Sequence, residues 1–321
     1  MIKKLALLAL VVTVLAPAVR AGSLSTSVIG LFPKDVNEFA YADLKTARKN
    51  KWFAQMKDQM LPSRFRQFEQ FLASAGMDPN TQVEELAWGI IAATATTGEQ
   101  VVGVALGQFQ PSVAEEFFKS QKLPVEKVRG YSLFAFGGGT GPMDIFFLFL
   151  DSNTSVFGHR AMIERLIEVR FGAEDSLLRS ETLFRLIEEA NGKSAVWAVL
   201  DQGYTRIAVH QLIPEAAQFP DAARLVAKMR AMIISIQAER GLDARFQTVC
   251  ATTEDANLFN ALLQAGLLYR KVQESETNPD LARALDDVRI NAAGDRLDVR
   301  IAVSEELLTS LLRRNTFAVK M

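Results

Sequence analysis

The chain has 321 residues, of which 23% are charged and 49% hydrophobic, a composition that excludes disordered and collagen-like proteins and allows two domains. Its formal net charge is −1, and it becomes −4 without the three basic residues of the first 21 positions. A mildly acidic chain without a basic tract is a poor candidate for binding nucleic acid or an anionic membrane surface, where Lys and Arg must neutralise phosphates.

Residues 1–21 have the pattern of a secretory signal peptide. Lys3 and Lys4 precede an apolar run over residues 5–15, and a small residue, Ala21, stands before the predicted cleavage site. The run is shorter than the roughly 20 residues of a membrane span, so a retained anchor is the less favoured alternative. We expect cleavage after Ala21, no transmembrane span in the mature chain, and a periplasmic or secreted bacterial protein.

Cysteine usage further limits the class of protein, because it excludes a disulfide-bonded scaffold. Cys250 is the single cysteine, so the chain has no internal disulfide. No cysteine follows the apolar run, which excludes a lipid anchor at that point.

The first half of the mature chain is predicted to alternate strands with helices. Periodicity and turn residues indicate a strand over 38–44, helices over 52–60 and 63–75, a hairpin over 87–94 and 100–107, a helix from Pro111, and a strand over 131–136.

An uninterrupted apolar run follows at residues 145–150, and a helical pattern over 159–170 comes after it. A strand that is apolar on both faces belongs in the middle of a sheet covered on both sides. We expect the cover to be a bridging helix over 181–190, the other half of the chain, or a second chain.

The second half repeats this order at low sequence identity. It contains a strand over 194–201, a hairpin over 232–236 and 244–252, a helix over 254–269, a second hairpin over 288–292 and 297–303, and a last helix capped by Ser304.

This repetition predicts an α+β fold of two tandem, structurally similar modules. Each would be a mainly antiparallel sheet of about five strands with helices packed on one face. The predicted boundaries are a signal peptide over 1–21, module 1 over 22–175, a bridging helix over 176–192 and module 2 over 193–321.

Several motifs that suggest chemistry are better explained structurally. The glycine-rich loop at 137–142 lacks the lysine and the following helix of a phosphate-binding loop, and residues 151–155 lack the glycine and glutamate of a calcium loop. His159 and His210 are the two histidines, and adjacent carboxylates on a helix diverge by about 100°. We therefore predict no catalytic residues, no metal site and no cofactor.

The candidate binding residues lie in the strands of the second half. Alternation places Asp298 and five further polar side chains on one sheet, and we expect them on one face: Arg245, Gln247, Arg289, Asn291 and Arg300. Arginines among amides suit a carboxylate, a phosphate or an acidic partner. A merely solvated sheet face is the alternative interpretation.

The order of elements resembles a loose group of secreted bacterial proteins of unknown function. The matching segments are Phe-Pro-Lys-Asp at 32–35, Tyr-Ala-Asp-Leu at 41–44, Gly-Met-Asp-Pro at 76–79 and Trp-Ala-Val-Leu-Asp at 197–201. The resemblance implies an extracytoplasmic location and a duplicated sheet-helix unit. It implies no activity.

Three functional hypotheses follow. The leading one is a non-catalytic extracytoplasmic binding or scaffolding protein, whose partner is an envelope protein or a second copy of the chain. The second is a binder of an apolar, lipid-like ligand between the modules, against the Phe-rich first sheet. The third is a hydrolase that uses carboxylates and arginines of the second sheet.

Overall fold

The computed structural model describes residues 22–61, 63–93, 98–141, 144–212, 224, 226–237, 241–277 and 279–313. The predicted signal peptide and the side chain of His210 lie outside the described residues. Among the described residues, no helix combines the length and the apolarity that a membrane span requires.

The structure contains twelve named strands. They are β1 (Glu38–Asp43), β2 (Val83–Ile91), β3 (Gln100–Gly107), β4 (Val125–Val128), β5 (Tyr131–Phe136), β6 (Ile145–Phe149), β7 (Thr154–Gly158), β8 (Val196–Leu200), β9 (Met229–Gln237), β10 (Gly241–Cys250), β11 (Val288–Ala293) and β12 (Arg296–Ser304).

The helices precede, separate and follow these strands. They are α1 (Thr26–Ile29), α2 (Leu44–Ala47), α3 (Phe53–Met60), α4 (Ser63–Ser74), α5 (Pro79–Gln82), α6 (Pro111–Ser120), α7 (Arg160–Arg170), α8 (Glu181–Ala190), α9 (Gln202–Leu212), α10 (Thr253–Thr277), α11 (Pro279–Asp286) and α12 (Glu305–Arg313). A single 3-10 turn, Leu177–Arg179, comes before α8.

All twelve strands belong to one sheet, in the order β11-β12-β10-β9-β8-β1-β2-β3-β7-β6-β5-β4. Every neighbouring pair is antiparallel. The predicted α+β class with a mainly antiparallel sheet is confirmed. The strands of the two halves meet at β1 and β8, where Tyr41 lies opposite Trp197, so one sheet continues through the whole chain.

The strand order is similar on the two sides of this junction. Outward from it, one side runs β1-β2-β3-β7-β6 and the other runs β8-β9-β10-β12-β11. Strands β5 and β4 extend the first side only. The division into two modules with the predicted boundaries stays a prediction, and this common order is the observation in its favour.

In the first half, helices cover both faces of the sheet, whereas helices on one face were predicted. Phe146 and Leu148 of β6 point to the face that carries Trp197, where α7 packs on β6 and α8 covers the strands β8 and β9. Ile145 and Phe147 point to the opposite face and are covered by side chains of α4 and α6, including Phe118. An apolar residue at every position of β6 requires cover on each side.

In the second half, the helices lie on the face opposite Trp197. Helices α9 and α10 pack there against a core that includes Val288, Ile290 and Leu297. Helix α12 packs on the same face through Leu308, beside Val303. The Trp197 face keeps its apolar core as far as Ala231 and Ile233 of β9 and Val249 of β10, and is polar beyond them. This polar area holds the candidate site.

Candidate functional site

The predicted binding residues form two rows on the Trp197 face of β10, β12 and β11. In one row, Arg245 lies opposite Arg300, and Arg300 lies opposite Arg289. In the next row, Gln247 lies opposite Asp298, and Asp298 lies opposite Asn291. Strands are about 4.8 Å apart and residues two apart on a strand are about 7 Å apart, so all six side chains share one compact surface. We call this surface the arginine face.

Two diagonal ion pairs stabilise the arginine face: one joins its two rows, and the other links Arg300 to Asp243, which lies beside the first row. Arg245 donates from Nε to Oδ2 of Asp298 at 2.6 Å. Arg300 donates from Nε to both carboxylate oxygens of Asp243, at 2.9 and 3.0 Å. Like charges directly opposite each other in a sheet destabilise it, and these carboxylates offset the repulsion between Arg245 and Arg300.

Arg289 differs from the other two arginines. Its guanidinium donates to the carbonyl oxygens of Asp286, at 2.8 Å, and of Val288, at 3.2 Å. None of the carboxylates in the described part of the chain lies within ion-pair distance of it. Three arginines therefore face two carboxylates, and the excess positive charge is at Arg289, on the edge strand.

The arginine face is open to solvent. Arg245, Arg289, Asn291 and Arg300 are exposed and Gln247 is half-buried. At its inner border Arg296 forms an ion pair of 3.1 Å with Glu189 of α8, which marks where the helical cover ends. The hydrogen bond that Arg245 donates to Asp298 raises the pKa of Arg245, so the guanidinium stays charged at every physiological pH.

The residues weighed for catalysis are used structurally. His159 precedes α7, and its Nδ1 accepts a hydrogen bond from the Val101 N–H at 2.8 Å. Burial lowers the pKa of His159, so the ring is held neutral with this lone pair occupied. In the part of the chain that the structure describes, no group of three or more His, Cys, Asp or Glu side chains is placed to hold a metal ion.

Two surface depressions lie away from the arginine face. One, of about 350 Å³, is lined by Glu84, Glu85 and Asn153 among others, and the second, of about 340 Å³, includes Lys51 and Glu306. Both are open and partly polar. Neither adjoins the Phe-rich strand β6, whose two faces are filled by helices. The apolar-ligand and hydrolase hypotheses gain no support from these depressions.

Sequence reasoning missed an acidic cluster beside Gly22. Asp43 lies opposite Glu85 across β1 and β2, on the Trp197 face, and is 7% exposed. The backbone nitrogen of Gly22 donates to Oδ2 of Asp43 at 3.3 Å. Tyr41 donates from its hydroxyl to Oε2 of Glu85 at 3.0 Å. Burial is the main cause that raises the pKa of Glu85, and the nearby Asp43 and Glu84 add to it.

The sequence carries a weak signal for this cluster. Asp43 ends its strand, and Glu84 and Glu85 begin theirs, so a hairpin-like pairing of β1 with β2 brings the acids together. The pairing itself joins segments about 40 residues apart and is not visible in local periodicity.

Fold and site together define a mixed α+β protein built on one large antiparallel sheet, part of which is an open polar face. No protein-family model and no curated protein sequence matches the chain. Among solved structures it is similar to crystal form I of the treponemal protein TP0453, with 13% sequence identity and a TM-score of 0.51 over 91% of this chain and 97% of that one. At this identity the likeness shows the fold alone.

Proposed function

We propose that the protein is a non-catalytic binding or scaffolding protein that works outside the cytoplasm, and that the arginine face binds an envelope partner through the partner's carboxylates. The observation that carries the proposal is the row of three arginines on an uncovered sheet face. A sheet that is only solvated gains nothing from three like charges in direct opposition. The guanidinium fork matches a carboxylate in two parallel hydrogen bonds.

Arg289 is the residue expected to contact the partner first. Arg245 and Arg300 already hold carboxylates of the chain, whereas Arg289 holds only backbone carbonyls. Asn291 on the same strand and Gln247 on β10 supply amide donors and acceptors for the remaining polar atoms of a bound group. An extended acidic segment that crosses β11, β12 and β10 would meet all of these side chains.

Site-directed photo-cross-linking tests the proposal. A benzophenone amino acid at Asn291 is expected to give one defined adduct when the mature chain is incubated with an envelope extract of the source organism. The same probe at Ser120, which is exposed on α6 far from this face, is the control position. An adduct at Ser120 but none at Asn291 contradicts the proposal, as does measurable catalytic turnover that depends on these residues.

Replacement of the arginine tests the charge directly. Arg289→Gln is expected to reduce the adduct yield at least about tenfold, the equivalent of about 1.4 kcal/mol. The matched control is Arg160→Gln, another exposed arginine, whose ion pairs are with Glu126 and Glu164. Exposed arginines contribute at most about 1 kcal/mol to stability, so both variants should remain folded, as circular dichroism can verify. An equal effect of the two substitutions would argue against a specific site.

The acidic cluster at Gly22 supports the proposed export. If the chain is cut after Ala21, the Gly22 nitrogen becomes an ammonium group placed beside the buried carboxylate of Asp43. A cation there offsets the repulsion between Asp43 and Glu85, which an uncharged amide does only weakly. Gly22 is also closely packed, since a Cβ added to it would lie 2.7 Å from the Tyr41 hydroxyl.

We expect the free amine of a chain that begins at Gly22 to stabilise the fold by about 1 kcal/mol relative to the Nα-acetylated chain at pH 7. Asp43→Asn keeps an acceptor for the Thr46 N–H and should make the two forms equally stable, because the amine then has no charged partner there. Denaturant unfolding of the four proteins measures this difference. Equal stability of the free-amine and acetylated forms with Asp43 in place would remove this support for export. N-terminal sequencing of the protein from its source tests the cleavage itself.

A further inference from the structure

The outward side of α10 carries an apolar stripe that no described part of the chain covers. Five of the ten exposed large apolar side chains among the described residues lie on this helix: Leu258, Leu262, Leu268, Tyr269 and Val272. They are between 47% and 73% exposed. The opposite side of the same helix is in the core, where Ala256 and Phe259 are buried against the sheet.

The stripe is continuous along the helix. At 100° per residue, these five side chains and Ala265 fall within about 120° of the circumference. The positions 258, 262, 265, 269 and 272 alternate steps of four and three, which is the spacing of a coiled-coil seam. The stripe extends over about 21 Å of helix axis.

We propose that this stripe is the contact surface of a homodimer, in which α10 of two copies pack antiparallel about a two-fold axis at Ala265. The stripe is nearly symmetric about that residue. Leu258 and Val272 lie seven positions from it in opposite directions, and Leu262 and Leu268 lie three positions from it. In an antiparallel pair, residues equidistant from the axis come level with each other, as a two-fold contact requires.

Side-chain sizes match in this arrangement. Tyr269 is four positions after Ala265 and comes level with Ala261, four positions before it, so a large side chain meets a small one. Ala265 lies at the axis, where a small residue allows the two backbones to approach. Gln273 donates a hydrogen bond of 2.7 Å to the Tyr269 hydroxyl, so this hydroxyl has a partner at the rim of the proposed contact.

Charge also favours a second copy over a lipid surface. Residues 256–269 contain no charged side chain, so two copies bring no like charges together. A helix that binds an anionic membrane carries Lys and Arg on its polar side. The cations that follow the stripe are engaged in ion pairs, Arg270 with Glu274 and Lys271 with Asp286.

The area is sufficient for a dimer of moderate affinity. The five side chains together expose roughly 500 Å² per copy, so a pair would bury roughly 1,000 Å², near the lower limit of specific interfaces. We therefore expect a concentration-dependent equilibrium. The homodimer proposal does not rest on the function proposed for the arginine face, which lies on the other side of the sheet.

Sedimentation of the mature chain, residues 22–321, over a range of concentrations tests the proposal. The expected result is a monomer–dimer equilibrium that Leu262→Glu weakens at least about tenfold, because a charge would be buried against Leu268 of the partner copy. Val113→Glu, at another exposed apolar residue, should leave the equilibrium unchanged. A monomer at every concentration, or a dimer insensitive to Leu262→Glu, overturns the proposal.

Mixing two variants tests the antiparallel register. Leu262→Glu and Leu268→Lys should each fail to self-associate, yet associate with each other, because the introduced carboxylate and ammonium come level across the axis. Failure of the mixture to associate, when each variant alone is monomeric and folded, would exclude this register.

Disulfide trapping gives a second, independent reading. Ala265→Cys should link to its own copy under oxidation, whereas the two copies of Ala261→Cys lie about 12 Å apart along the axis and should not link. The native Cys250 does not interfere, since it is buried and burial raises its pKa to about 11. Linkage at Ala261 but not Ala265, or binding of a monomeric chain to phosphatidylglycerol vesicles through this stripe, would overturn the proposal.

Discussion

Replacing Trp197 by Ala is expected to reduce the free energy of unfolding by about 3–5 kcal/mol, the usual range for removal of a buried aromatic side chain. Trp197 is 1% exposed and lies in β8 at the junction of the two halves. Its ring is 5.8 Å from that of Phe39 and 5.6 Å from that of Tyr41, both in β1. The cavity left by Ala would open the sheet where its two sides are joined.

Trp197→Phe is the matched control. The indole Nε1 of Trp197 is buried and has no hydrogen-bond partner among the described residues. An unsatisfied buried donor costs about 1–3 kcal/mol, so Phe loses contact area but removes this penalty. We expect a net loss well below that of Ala. Urea unfolding followed by far-UV circular dichroism measures both, and equal losses for Phe and Ala would contradict the explanation.

The second large effect is expected at Gly158, the last residue of β7. Its φ is +143°, and an added Cβ would lie 2.3 Å from the carbonyl oxygen of Val101 and 2.8 Å from the Cα of Val102. These are backbone atoms of the neighbouring strand β3, so no side-chain rotation can relieve the clash. Gly158→Ala should therefore cost about 3 kcal/mol or more, from backbone strain and displacement of β3 together.

Gly172 separates these two contributions. It follows α7 with φ at +74°, and an added Cβ meets nothing within 4 Å. Gly172→Ala should thus cost only the conformational penalty, about 1–2 kcal/mol. The comparison uses the midpoints of urea unfolding of both variants. A loss at Gly158 no larger than at Gly172 would show that the strand pair adapts to the extra methyl group.

Periodicity predicted the arginine face well, for a physical reason. On β12, Leu297, Val299 and Val303 alternate with Asp298 and Arg300, and a two-residue period assigns each set to one face. The β11–β12 hairpin then places Arg289 opposite Arg300, because its two strands are linked directly. Arg245 lies opposite Arg300 through the pairing of β10 with β12, which are not consecutive in the chain. The binding role of this face stays a prediction.

Other features depend on pairing between distant segments. The β1–β8 contact places Tyr41 opposite Trp197, and nothing in either strand specifies the other as its neighbour. The opposition of Asp43 and Glu85 likewise follows from tertiary register. The stripe on α10 was not predicted because the helix is apolar on two sides. Phe259 belongs to the buried side and Leu262 to the exposed side, and the two sets of apolar residues together hide the helical period that each set alone would show.

The junction at β1 and β8 also determines the order in which the protein can be completed. Glu38 pairs with Leu200, so β1 is synthesised long before its second neighbour exists. Until then one edge of β1 presents unpaired backbone groups beside the apolar side chains of Phe39 and Tyr41, a combination that favours pairing with foreign strands. Nascent chains of this protein should accordingly depend on a holding chaperone until more than half of their length has been synthesised.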